Sequence, residues 1–280
     1  MSNNLDSGTP LTRPSRTRMS PRRRAAISRG VQYTVLAVVA LAIALVADWG
    51  RISTNLFNTQ VALDLLPKLP HAFLNTLIYT VAAFIVALVL GVVLALMRLS
   101  SVGLYRWLAT AYVEFFRGIP AMLVVFSVAF ALPIAFGIQM QSLVAKAALA
   151  LGIVSSAYIA EVLRAGIQAV PKGQIEAARS LGMSHTRTML TVVLPQAFRI
   201  VLPPMTNELI LLTKDSSLVF LMGVSAEQFE LTKIGRDALN SGTGGLTGLF
   251  VVGAAYLCIT IPLGILARRL EKKFGEGHRK

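Results

Sequence analysis

Six apolar runs, each close to the length needed to cross a bilayer, limit this chain more than any other feature. They cover residues 31–47, 72–97, 107–136, 142–167, 202–224 and 248–267. About 20 helical residues span the hydrocarbon core, and every backbone N–H and C=O inside it must find a partner within the protein. The runs therefore predict an all-α, polytopic membrane protein with six transmembrane helices. The first run is short and needs its flanks. The third carries Glu114 and Arg117, so its membrane portion begins near them. With 55% hydrophobic and only 14% charged residues in 280, a soluble domain is excluded.

A net charge of +14 would point to nucleic acid in a soluble protein, but here position decides against it. The Lys and Arg side chains stand at the ends of the apolar runs. Twenty of the 27 fall on one side of a six-span topology: seven arginines before residue 30, then Arg98, Arg106, Arg164, Lys172, Arg179, Arg187 and Arg199, and six from Arg268 onward. The other side receives Arg51, Lys68, Lys233 and Arg236, while Arg117, Lys146 and Lys214 lie within spans. Cytoplasmic loops retain positive charge, so both termini are expected in the cytoplasm.

Residues 1–29 are rich in Ser, Thr, Pro, Asn and Arg without hydrophobic periodicity, and read as a disordered basic tail. Arg22-Arg23-Arg24 before the first run resembles the start of a secretory signal, but an uncleaved first helix fits better because further spans follow. Residues 30–70 then form an N-terminal helix and external loop, residues 71–268 the main membrane domain, and residues 269–280 a second basic tail. Gly242-Thr243-Gly244-Gly245 reads as a flexible external loop. Cys258 lies inside an apolar run and has no second cysteine to pair with, so neither a disulfide nor a cysteine-ligated metal is expected.

The stretch 168–200, between the fourth and fifth runs, is too long and polar for a hairpin. Glu176 to Leu181 are mostly helix formers, and Gly173 and Gly182 bracket them. Gly182 suits the left-handed residue that ends a helix, which gives about two turns. Ser184 can cap a second helix that Pro195 interrupts or ends. So short a helix is marginal alone and must pack on something, with Ile175, Ala178 and Leu181 as contacts.

The order Glu176-Ala177-Ala178, Gly182, Val192 and Leu194-Pro195 resembles the cytoplasmic loop of ATP-binding-cassette (ABC) importer permeases, with Val192 in place of the more usual isoleucine. The likeness extends to Phe73-Leu74-Asn75-Thr76-Leu77, Tyr112 through Pro120, Ala157 through Ile167, Gly173-Gln174 and Lys214 through Leu218. This wording is similar to the polar amino-acid uptake branch. The resemblance implies a five-helix permease core preceded by one added N-terminal helix, with a coupling helix that docks on a separate ATPase. Gly173, Gln174, Glu176, Ala177, Ala178, Leu181, Gly182, Leu194 and Pro195 are the implied docking residues. It also implies a second permease subunit, identical or related, an extracytoplasmic solute-binding protein and an amino-acid substrate, in the bacterial inner membrane. No G-x-x-x-x-G-K-[ST] loop is present, so ATP and Mg belong to the partner ATPase and this chain is expected to bind no cofactor and catalyse nothing.

Charges within spans are costly and mark function or pairing. Glu161 with Arg164 is expected as a structural ion pair. Glu114 with Arg117 has the same spacing, and can either pair or meet the carboxylate and ammonium of an amino acid. Lys214 and Asp215, adjacent, are expected to pair with other helices. Asn207 and Glu208, after Pro203-Pro204, are candidates for the wall of the substrate path. An ion-coupled secondary transporter would favour two similar halves, and none is found. No filter-like segment indicates a channel, and the three histidines lie at span ends or in loops, away from any intramembrane protease chemistry. A permease for a different small solute remains the alternative within the same family.

Overall fold

The structure, a computed structural model, describes residues 21–241 and 245–275. Most of the N-terminal tail, the end of the C-terminal tail and Gly242-Thr243-Gly244 of the last loop lie outside the described residues. Those described form helices and their connections, without a strand among them. The chain divides into two compact units, one through Ile52 and one from Ser53.

The first unit contains α1 (Pro21–Val46) and the start of α2 (Trp49–Leu56). Residues 21–29 are helical, so they are not the unstructured segment expected from their composition. Every side chain from Ile27 to Val46 is exposed. A helix of this length and apolar composition suits a lipid solvent.

The second unit contains α3 (Thr59–Leu65), α4 (Leu69–Leu99), α5 (Gly103–Gly118), α6 (Ala121–Phe136), α7 (Leu143–Gln168), α8 (Lys172–Ser180), α9 (His185–Met222), α10 (Leu231–Asn240) and α11 (Thr247–Gly275). The core is α7 packed along α4. Ala83 and Ala87 on α4, and Ala147, Ala150, Ala157 and Ala160 on α7, are wholly buried. Between apolar helices in lipid there is little hydrophobic gain, so close backbone approach through small residues supplies the contact. A Cβ on Gly91 would come within 2.5 Å of the Ile159 side chain, and one on Gly152 within 2.6 Å of Val86.

Among the described residues five helices are long and apolar enough to span a membrane: α1, α4, α7, α9 and α11. The expected third span is not one straight helix. α5 and α6 meet at 105°, because Ile119 is held extended (φ −98°, ψ 139°) ahead of Pro120. Counted as one span, the pair brings the number of helical segments long and apolar enough to cross to six.

Two other boundaries differ from expectation. Pro195 neither ends nor interrupts the helix that Ser184 caps; the chain widens into a π turn at Met189–Val193 and continues. The wider turn accommodates the missing N–H and the ring of Pro195. Pro203 and Pro204 likewise lie inside α9. At the other end, α11 runs to Gly275, well into the segment expected as a basic tail.

Candidate functional site

α8 is the short helix expected in the loop; it stops at Gly182 as expected, but it starts at Lys172 after Pro171, so Gly173 lies within its first turn rather than before it. Gly182 has φ +82°, a conformation that Cβ-bearing residues avoid. Its N–H donates to Arg179 C=O at 3.0 Å, and Met183 N–H donates to Ala178 C=O at 3.2 Å, the paired bonds of a Schellman stop. Ser184 Oγ then accepts from Arg187 N–H at 3.3 Å, so one helix ends and the next begins within four residues.

The two faces of α8 differ. Ala178 is buried, and Ile175 packs with Val170, Val193 and Ala197. These two residues seat the helix on its own chain, which removes Ala178 from the set available for docking. Gly173, Gln174, Glu176, Ala177, Leu181 and Gly182 are exposed, and Leu181 is 84% exposed, as an apolar side chain awaiting a partner would be. Leu194 and Pro195 are exposed on α9. Gln196 Nε2 donates to Gln174 Oε1 at 2.5 Å and ties α8 to α9.

At the same end of the bundle, Glu161 is ion-paired with Arg164. It is shared with Arg98 at the end of α4, and Arg164 Nη1 also donates to Gln168 Oε1 at 2.5 Å. Arg98 was missed because it is 63 positions from Glu161 in the chain. Its place at the C-terminal end of the second apolar run was the available signal.

The remaining charges arrange themselves differently from expectation. Glu114 and Arg117 form no ion pair; both are exposed, and the Arg117 guanidinium lies over the Tyr158 ring at 5.7 Å from its centroid. Lys214 and Asp215 have no ion-pair partner among the described residues either. Lys214 and Asn207, two turns apart on α9, line one side of a groove of about 380 Å³ whose other side is Thr260, Gly264 and Arg268 of α11. Glu208, one residue on, is within electrostatic range of Asp215 and Arg117. Asn207 and Glu208 thus belong to adjacent polar faces of one helix, as the 100° step between neighbours requires. No group of three or more His, Cys, Asp and Glu side chains able to hold a metal is found among the described residues.

The far end holds a second set of polar contacts, to which Asn75 of the Phe73–Leu77 stretch contributes. Asn75 Nδ2 donates to the carbonyls of Glu227 and Phe229 at 3.0 and 2.9 Å. Tyr79 Oη donates to Gln228 C=O at 2.9 Å, and His71 Nε2 lies 2.7 Å from Glu227 C=O. One face of α4 thereby grips the turn Ala226–Gln228. Glu230, fully buried at the start of α10, was missed.

A helical bundle with several membrane-length helices, a sharply bent α5–α6 pair and a short helix of exposed outer face at one end fits a membrane transport permease subunit. The chain belongs to the family of binding-protein-dependent transport system inner membrane components, which it matches over residues 87–276. It is 40% identical to the probable glutamine ABC transporter permease protein GlnM of Bacillus subtilis over 222 residues, 78% of this chain and all of that one. It is 35% identical to the arginine transport system permease protein ArtQ of the same organism, over 74% of this chain and 94% of that one. Among solved structures, the crystal structure of an amino acid ABC transporter with histidines matches 77% of this chain and 94% of its own, at 32% identity and a TM-score of 0.65.

Proposed function

We propose that this chain is one of two permease subunits in an ATP-driven importer of polar amino acids in the bacterial inner membrane, with both termini in the cytoplasm. The observation that carries this reading is α8: seated on its own chain by Ile175 and Ala178, and presenting Glu176, Ala177 and Leu181 outward.

A groove on a separate ATPase receives that outward face. Because α8 is fixed by the Schellman turn, the Ser184 cap and the Gln174–Gln196 hydrogen bond, it transmits a push to α7 and α9 rather than bending. ATP and Mg are bound by the ATPase, and this chain makes and breaks no covalent bond. A solute-binding protein delivers the amino acid at the opposite end. Arg117, Asn207 and Glu208, with Glu114, are the side chains proposed to meet the substrate's charges. The relatives named for glutamine and arginine, and the structure holding histidines, support a polar substrate.

Reconstitution tests this reading. The chain is placed in proteoliposomes with its co-expressed ATPase and binding protein, and uptake is measured for each labelled amino acid. Saturable uptake of a polar amino acid that needs internal ATP and both partners is expected. Uptake that proceeds without ATP, or of a solute other than an amino acid, would contradict it.

A further inference from the structure

One acidic side chain is buried where three elements meet, and transport as proposed above makes no use of it. Glu230 is 0% exposed and caps α10. Its Oε2 accepts from Thr232 N–H at 2.5 Å and its Oε1 from Lys233 N–H at 2.8 Å. Tyr256 Oη of α11 lies 3.1 Å from Oε2. The next residue joins the third element: Leu231 N–H donates to Thr76 Oγ1 of α4 at 3.2 Å.

The carboxyl has no cation beside it among the described residues. Lys233, on the same helix, is ion-paired with Asp237, and its amine lies over the Phe229 ring at 4.5 Å. The other ionisable groups facing it are phenols, Tyr79 from α4 and Tyr256 from α11. His71 of α4, on the same loop, is engaged with the Glu227 carbonyl. A carboxylate in such a place has hydrogen-bond donors but no opposite charge to offset its lost hydration.

We propose that Glu230 is a proton-binding site that sets how firmly α10 is held against α4 and α11. Protonated, the acid is neutral and α10 stays seated; ionised, the uncompensated charge draws water into the seam and loosens it. The hydroxyl of Tyr256 permits both states. It also lies 3.0 Å from Thr232 Oγ1, so it can donate to the carboxylate, or accept the acid proton while donating to Thr232. The proton exchanges with solvent and nothing else is consumed. Burial pushes the Glu230 carboxyl up to about 7, against the lowering effect of the two backbone N–H groups and Tyr256. For an acid raised in this way, the stabilisation is complete below its ordinary value and is lost as pH rises through about 7. The site lies at the end of the bundle away from α8, so it reads the pH on that side.

Hydrogen exchange on the assembled complex in lipid nanodiscs tests the proposal. Corrected for intrinsic rates, protection of residues 231–240 should fall several-fold between about pH 6 and about pH 8 in the wild type, and stay high throughout in Glu230→Gln. Tyr256→Phe, which keeps the acid but removes a donor to its ionised form, should move the midpoint upward. Infrared spectra should show a protonated-carboxyl band that disappears over the same interval and is absent from Glu230→Gln. A wild type without a pH-dependent change, a change that survives in Glu230→Gln, or an unmoved midpoint in Tyr256→Phe would each overturn it.

Discussion

Arg98, at the end of α4, and Glu161, on α7, are 63 positions apart in the chain and form an ion pair that Arg164 completes from the other side. One carboxylate therefore serves two guanidinium groups, with Glu161 only 28% exposed. Removing the carboxylate leaves two cations close together with no anion between them.

Glu161→Gln is accordingly expected to cost about 2–3 kcal/mol. The measurement is the thermal unfolding midpoint of the purified complex in detergent. Arg98→Met combined with Glu161→Met, which removes one cation and the anion together, should recover much of the loss. Equal midpoints for wild type and Glu161→Gln would show that the triad carries no weight.

The spacing between Glu161 and Arg164 was legible because residues three apart share a helix face. Glu114 and Arg117 have the same spacing and do not pair: both are exposed, and the Tyr158 ring takes up the guanidinium. Spacing states which groups can meet, whereas environment decides whether they do. Arg98 belonged to another span, and nothing local pointed to it.

The α4 grip on the Ala226–Gln228 turn yields a second expectation. Asn75→Ala should lose two hydrogen bonds to backbone carbonyls, at about 1 kcal/mol each. Asn75→Asp should be worse, because it replaces a donor with an oxygen facing two carbonyl oxygens. Hydrogen exchange across residues 225–231 distinguishes them: faster in Asn75→Ala, faster still in Asn75→Asp. Unchanged protection in both would show that the grip is incidental.

Gly166 on α7 faces Val201 on α9, and an added Cβ would meet the valine Cγ2 at 2.1 Å. Gly166→Ala should therefore destabilise by about 1–3 kcal/mol through overpacking. Val201→Ala in the same chain should restore most of it, a coupling that a double-mutant cycle on thermal unfolding would read directly. Additive effects of the two changes would contradict the contact.

Gly182 gives the opposite kind of test. Nothing lies within 4 Å of a Cβ built there, so a side chain meets no clash and only the left-handed backbone resists it. Gly182→Val should loosen α8 at a cost of about 1–2 kcal/mol, and Gly182→Asn, which tolerates that conformation, should cost less. Retention of the ATPase during purification should follow the same order: wild type, Asn, Val. Equal retention in all three would separate the turn from docking.

Much of the loop was readable because glycine and serine mark helix ends whatever surrounds them: the Gly182 stop and the Ser184 cap are local chemistry. Which face of α8 met which surface was not readable. Ile175, Ala178 and Leu181 share a helical spacing, but Ile175 packs on Val170, Val193 and Ala197 and Ala178 is buried, while Leu181 remains exposed. Those partners come from segments flanking α8, and periodicity does not reveal them. The 105° bend was written at Ile119-Pro120, yet a count of apolar residues ran straight across it. Pro195 misled in the other direction, because a π turn upstream absorbs a proline that ends an ordinary helix. Glu230 gave no signal among the charges of a loop, since its burial depends on Thr76 and Tyr256 from two distant spans.

The central claim is that the outward face of α8 holds a separate ATPase, and co-purification of that subunit tests it most directly. Leu181→Glu and Glu176→Lys change only exposed side chains, so both variants should insert and unfold at the wild-type midpoint. Each is expected to retain at most about a tenth of the ATPase, corresponding to about 1.4 kcal/mol of lost binding. Full retention of the ATPase by both variants, with ATP hydrolysis still stimulated by the loaded binding protein, would contradict the account.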